Sequence, residues 1–134
     1  MKLLLDTNVV SKIMSGNPTR YRASADASRE AGNFHYTSVI VMHELLYGAA
    51  KSPKPEFSRD RVLVTLAGLS GILDFTADDA EIAGLVRAQL AALGTPIGPY
   101  DVLIAAQALR SDATIVTNNR REFDRVPNLN VLDW

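Results

Sequence analysis

Leu3-Leu4-Leu5-Asp6-Thr7-Asn8 follows only Met1 and Lys2 in this 134-residue chain. On a strand with one solvated face, three consecutive leucines would put leucine into water. The run therefore reads as a strand buried on both faces, the usual state in a parallel sheet. Asp6 ends it. A carboxylate at the carboxyl end of a central strand lies where open α/β sheets take up their ligands. Thr7 and Asn8 can each cap a helix through a side-chain oxygen, so the strand is expected to turn directly into a helix beside Asp6.

The composition narrows the field. One domain spanning residues 1–134 is expected, long enough to bury a real core. With 47% hydrophobic and 22% charged residues the chain fits neither the disordered nor the membrane class. No apolar run approaches the roughly 20 residues of a membrane span, and Asp6 interrupts the leucines too early for a signal peptide. The absence of cysteine excludes disulfides, thiolate metal sites and a cysteine nucleophile, and it fits a cytoplasmic location. Net charge is −1, so a nucleic acid would have to be met by a local basic patch.

Along the rest of the chain, strands and helices alternate. Asn8 to Met14 reads as a short helix closed by Gly16. Asn17-Pro18 opens the next, with Asn as cap and Pro at the first helical position. Small and polar up to Ala31, with Arg20, Arg22 and Arg29, this helix is expected on the surface. Phe34 to Thr37 is a strand, and Ser38 caps a helix from Val39 to Ala50. A helix from about Glu56 to Leu69 precedes the strand Ile72 to Phe75. Thr76 caps another, whose positions Ile82, Leu85, Val86, Leu90 and Leu93 keep a helical period. The turn Thr95 to Asp101 leads into Val102 to Arg110, apolar almost all round and so expected to be buried. Thr114 to Thr117 and Asn130 to Leu132 are strands, with a turn or short helix from Asn118 to Phe123 between them. The pattern predicts a three-layer α/β/α fold around a mostly parallel sheet of four to five strands.

Three acids sit where a core argument would not put them. Asp6 ends a buried strand, Glu44 lies inside an apolar helix, and Asp101 is in the first turn of the most apolar helix. Each alone has an ordinary explanation: amides of the next helix for Asp6, the helix dipole for Asp101, solvent for Glu44. Together they weigh differently. In this architecture strand ends and helix starts share one sheet edge, and only Lys12 and His43 are bases near in sequence. Acids gathered without bases point to a divalent cation, and oxygen ligands suit Mg²⁺ or Mn²⁺. Thr117 and Asn119 can complete the coordination or orient water, although Asn118-Asn119 also serves ordinary turn chemistry. Glu122, three residues after Asn119, would share a side with it in a helical turn, while Asp124 should point away.

These blocks resemble a known family. Leu3 to Asn8, Thr37-Ser38-Val39 through Glu44 to Gly48, Ile97 to Asp101 with Ile104 to Ala106, and Ile115 to Asn119 with Glu122-Phe123 look like the successive motifs of PIN domains. More closely, they look like the VapC toxins of VapBC toxin–antitoxin systems. The resemblance covers nearly the whole chain, in order. It implies a Mg²⁺- or Mn²⁺-dependent endoribonuclease acting on RNA, tRNA included, inhibited by a VapB-like antitoxin and usually a homodimer. Asp6, Glu44 and Asp101 match the family's acidic triad. A fourth acid commonly stands where this chain has Asn119, and Glu122 is the candidate substitute. Activated water would attack phosphorus and leave a 5′ phosphate. Lys12, Arg20, Arg22, Arg120 and Arg121 are the candidate substrate contacts. Tyr47 and Tyr100 are expected in core packing or a dimer contact before base stacking, and His43 as a packed or surface residue.

Two rivals fit less well. A haloacid-dehalogenase-like phosphatase needs a second Asp where Asn8 stands, and a receiver-like module needs an acidic pair beside the first strand. A catalytically silent PIN-like module that binds metal or nucleic acid has the same motifs and is separated only by assay.

Overall fold

The computed structural model describes residues Met1–Trp134. Five strands, β1 (Lys2–Leu5), β2 (Phe34–Ser38), β3 (Gly71–Leu73), β4 (Thr114–Val116) and β5 (Val131–Leu132), form one sheet in the order β3-β2-β1-β4-β5. All four pairings are parallel. Seven helices cover the sheet: α1 (Thr7–Ser15), α2 (Arg20–Glu30), α3 (Val39–Ala50), α4 (Pro55–Ala67), α5 (Ala77–Ala92), α6 (Pro99–Ser111) and α7 (Arg120–Phe123). The three-layer α/β/α expectation holds, with five strands. No helix is long and apolar enough to cross a membrane.

The leucine run does what its composition demands. β1 is the central strand, and Leu4 pairs with Tyr36 on one side and Ile115 on the other. Leu3, Leu4 and Leu5 are at most 1% exposed and lie in a core cluster with Val9, Ile104 and Phe123. Buried on both faces, a strand gains from apolar residues at every position.

Several boundaries and faces differ from expectation. Asp6 itself is the N-cap of α1, its Oδ1 accepting from Val9 N at 3.0 Å. Thr7 and Asn8 are already helical. Asn17 is not a cap: its backbone is held in a turn by Ser15 Oγ, the Asn17–Pro18 peptide is cis, and α2 starts at Arg20. Nor is α2 wholly superficial, because Tyr21 is 0% exposed and Ala25 is buried with it. Arg22 caps the end of α1 by donating to the carbonyls of Ile13 (2.8 Å) and Met14 (2.9 Å). Gly16 leaves room for it, since a Cβ there would stand 2.6 Å from the guanidinium carbon, and its φ of +71° is the left-handed conformation that ends α1.

The apolar stripe of α5 is rotated from the expected one. Its buried face is Asp79, Ala83, Val86 and Leu90, whereas Leu85 and Leu93 are 68% and 71% exposed. Leu85 lies about 100° round the helix from Val86, and Leu93 is already past the last turn. A charge on the buried stripe is tolerated because Arg110 of α6 donates to both Asp79 oxygens and the Thr76 amide donates to Oδ2 at 2.8 Å. Burial pushes the Asp79 carboxyl up, but the bonds from Arg110 and Thr76 outweigh it and hold it below the usual range. Asp79→Ala is expected to cost about 2–4 kcal/mol in urea unfolding, leaving Arg110 unpaired and the α5 cap broken. That contribution is present above the ordinary carboxylate range and is lost as acidification passes through the lowered value. A loss below about 1 kcal/mol would show that Arg110 finds water instead.

Candidate active site at the carboxyl ends of the strands

The site is built from the ends of three adjacent strands. β1 ends at Asp6, β2 runs into α3 with Glu44, and β4 runs into the loop Thr117-Asn118-Asn119, over which α6 places Asp101. Ser38 fixes the start of α3, accepting from Ile40 N at 2.9 Å. Pro99 occupies the first turn of α6, where its missing N–H is no loss.

Asp6 is 5% exposed. While Oδ1 caps α1, Oδ2 accepts a hydrogen bond from the Thr117 hydroxyl. Burial pushes its carboxyl up; the bonds from Thr117 and Val9 oppose this, and the Glu44 charge adds to it. Glu44, half-buried, accepts from the Thr7 hydroxyl at 2.8 Å. Thr7 thus serves the site and not, as its sequence position suggests, the helix cap. Asp101 Oδ2 lies 3.3 Å from Asn119 Nδ2, and the same amide donates to Glu122 Oε2 at 2.8 Å. Gly98 N also points to Glu122 Oε2, at 3.4 Å. Glycine suits position 98, since a Cβ would sit 3.2 Å from Asp101 Oδ2. Burial raises the Asp101 carboxyl to about 7, reinforced by its hydrogen bond to Glu122 and by the charges of Glu122, Asp6 and Glu44. Glu122 is the ionised partner, held low by that bond and by Asn119 and Gly98.

The three expected acids therefore act on one another, and Asn119 and Glu122 join them as the helical spacing requires. No three acidic or imidazole side chains yet stand within ligating reach of one point. Thr7 and Asn119 hold Glu44 and Asp101 in hydrogen bonds of their own. None of the ion pairs of the chain involves Asp6, Glu44, Asp101 or Glu122. Asp124 points away and pairs with Arg120 at 3.1 Å, rather than with Arg121 or Arg125. Arg120 is thereby turned from the acids, and Arg121 is simply exposed. Lys12 and Arg20 both reach the hydroxyl of Tyr21, at 3.2 and 3.0 Å, and Asn118 donates to it too. Sequence reasoning misses Tyr21 and Asn118 as site residues; a tyrosine among arginines on an otherwise polar helix is the available signal.

Tyr47 and Tyr100 are exposed and take no part in the core, and His43 is on the surface with its ring edge-on to Tyr100 at 5.6 Å. Beside Glu44 a groove of about 340 Å³ opens between α1, α3 and α4, with Met14, Leu45, Ala49 and Val62 on its walls.

The description "PIN domain" fits residues 3–129 of the chain. The chain belongs to the PIN-domain family, and within it to VapC. It is 38% identical over 139 residues to the tRNA(fMet)-specific endonuclease VapC of Salmonella typhimurium, covering 100% of this chain and 98% of that one. It is 36% identical to ribonuclease VapC2 of Rickettsia felis, with the same coverage. Among solved structures, VapBC2 of Rickettsia felis bound to a promoter DNA fragment contains a chain that superposes with a TM-score of 0.92 at 36% identity, covering 100% of this chain and 99% of that one. A chain of DNA-bound VapBC from Salmonella typhimurium does so at 0.89 and 36%, covering 100% of this chain and 98% of that one. A VapC fold thus carries the acids Asp6, Glu44 and Asp101 at the carboxyl ends of its strands.

Proposed function

We propose that this VapC domain is an endoribonuclease toxin whose acidic cluster holds Mg²⁺ or Mn²⁺ and whose activity a bound VapB-like antitoxin suppresses. The observation that carries the reading is the gathering of Asp6, Glu44, Asp101 and Glu122 at one sheet edge: burial first, then the bond to and charge of Glu122, then the charges of Asp6 and Glu44 raise Asp101 to about 7, with no base in an ion pair with any of the four. The donors fit a hard divalent cation: all are oxygens, their charges are of one sign, and Glu122 adds a further anion. Asp6, Glu44 and Asp101 would hold the ion, with Asp101 giving up its proton and its contact to Asn119. Thr117 keeps the Asp6 carboxylate aimed, and Asn119 and Glu122 are placed to orient water. The ion supplies charge neutralisation on phosphate and a lowered pKa for water. The chain's own part is to position these carboxylates, to take up the proton that attack releases, and to keep Asp6 dry. No side chain here is set up as a covalent nucleophile, and on this reading water attacks in place of the RNA's own 2′ hydroxyl, so that cleavage leaves a 5′ phosphate.

The substrate class is RNA, with tRNA the first to test because two relatives are named for tRNA(fMet). Asp6→Asn and Glu44→Gln are each expected to fold and to lose RNA cleavage in Mg²⁺ or Mn²⁺; a Glu44→Gln protein as active as the parent would remove Glu44 from the site. Glu122→Gln is expected to slow cleavage about tenfold, whereas Asp124→Asn does little.

The antitoxin is expected to lay an apolar helix face into the groove walled by Leu45, Ala49 and Val62 and to bring a base toward Glu44. A second copy of the chain is proposed against the α3 face that exposes Met42, Leu46 and Tyr47. Light scattering of the isolated chain and of the chain with its partner tests both assemblies.

A further inference from the structure

Lys12 and Arg20 converge on one buried oxygen without an acid between them. Lys12 Nζ lies 3.2 Å and Arg20 Nη2 3.0 Å from the Tyr21 hydroxyl, and both cations also stack on its ring, at 4.8 and 4.9 Å from the centroid. Neither is in an ion pair. Two cations held beside one phenol repel each other unless an anion joins them. The Tyr21 hydroxyl is hydrogen-bonded by a third donor, Asn118 Nδ2. Asn118 also accepts from Lys12 Nζ at 3.1 Å. Its neighbours are Thr117, which bonds Asp6, and Asn119, which bonds Asp101. The basic cluster is thus fixed to the loop that organises the acids.

We propose that Lys12 and Arg20, anchored on the buried Tyr21 hydroxyl, form a subsite for a backbone phosphate flanking the scissile bond of the RNA. The proposal rests on the ribonuclease reading for its ligand. An ammonium and a guanidinium anchored on one ring offer a point charge and a planar fork, which together suit a phosphate anion. Tyr21 is 0% exposed and rigid, so little side-chain freedom is lost when the phosphate arrives. The subsite reads backbone and not base, so it contributes affinity across RNA sequences.

The test measures binding and cleavage separately. Binding of the full chain to a labelled single-stranded RNA is followed by anisotropy in EDTA over a range of salt, and KM and kcat are measured in Mg²⁺. Arg20→Gln and Lys12→Gln are each expected to weaken binding about tenfold and to lower the slope of log affinity against log salt by about one. Arg20→Gln should raise KM with kcat within about twofold, and Arg20→Lys and Lys12→Arg should restore most of the loss. Arg29→Gln, which removes an exposed charge from the far end of α2, should leave slope and KM unchanged. Wild-type affinity and slope in both Gln variants overturn the subsite. So does an equal loss in Arg29→Gln, or an unaltered chain that does not bind RNA at all in EDTA. If binding depends on Lys12 and Arg20 while the unaltered chain cleaves nothing, the nuclease reading fails and the subsite stands.

Discussion

The Asp101→Asn protein is expected to be inactive by about a thousandfold or more, yet more stable than the parent in a chelator at neutral pH. The loss follows from removing the acid in the first turn of α6 that faces Asp6 and Glu44. The gain follows from its titration. The folded-state carboxyl, raised to about 7, lies above the ordinary value of an unfolded Asp. Such a group stabilises the fold fully below its unfolded pKa, and the stability is lost as pH rises through the folded value. Between about pH 4 and pH 7 the parent therefore weakens, and above about pH 7 it bears the full cost of a charge that is partly buried and, beyond that, crowded by Glu122, Asp6 and Glu44. Allowing for its half-exposed position, that cost is about 1–2 kcal/mol. The amide relieves it at about pH 8 and brings nothing below about pH 4. Urea unfolding at these two pH values checks the sign. A variant less stable than the parent at the higher pH would mean that Asp101 makes a contact more valuable than its charge is costly.

Mg²⁺ or Mn²⁺ is expected to raise the melting temperature of the parent by about 5–10 °C when present about 100-fold above its dissociation constant, equivalent to about 2.7 kcal/mol of linkage. The shift should shrink as pH falls below about 7, because Asp101 must lose its proton to serve as a ligand. It should nearly vanish in Asp101→Asn and be reduced in Glu122→Gln. Differential scanning fluorimetry from about pH 5.5 to about pH 8.5 measures all three. A shift that is the same in Asp101→Asn and the parent would place the cation elsewhere.

The fold is readable where local chemistry and burial agree. Leu3 to Leu5 admit no half-exposed strand, and Ser38 and Thr76 cap the helices expected of them. Faces are harder. A stripe drawn through every apolar residue of α5 takes in Leu85 and Leu93, which sit in water because the buried row runs through Asp79, Ala83, Val86 and Leu90, leaving Leu85 about 100° off it and Leu93 past the last turn. Tyr21 is invisible for the converse reason: its neighbours are polar, and nothing local says that the chain will fold Lys12 and Asn118 around it. Of the candidate site, the three acids stand out in the sequence because a carboxylate in an apolar context needs a cause. Which oxygen bonds which donor cannot. Thr7 serving Glu44 and Asn119 reaching Asp101 join residues 37 and 18 apart, and they depend on strand order that no local pattern states. Gln107 makes the same point. Buried on the apolar face of α6, it accepts from Ser38 and donates to the carbonyls of Leu73 and Asp74, binding the helix of Asp101 to the cap of the helix of Glu44.

The central place of β1 also sets a schedule for synthesis. The first of the five strands to be made is the one that must be sandwiched, and its second partner, Ile115 beside Leu4, lies far down the chain. At ordinary rates of translation, about 5–20 residues per second, the ribosome works for roughly 5–20 s with β1 paired on one side at most. During that interval Asp6 has no Thr117 to aim it and Asp101 no Asn119. On the ribonuclease reading, a growing chain therefore cannot cut the RNA that surrounds it, and the hazard begins only when β4 and the loop after it have emerged.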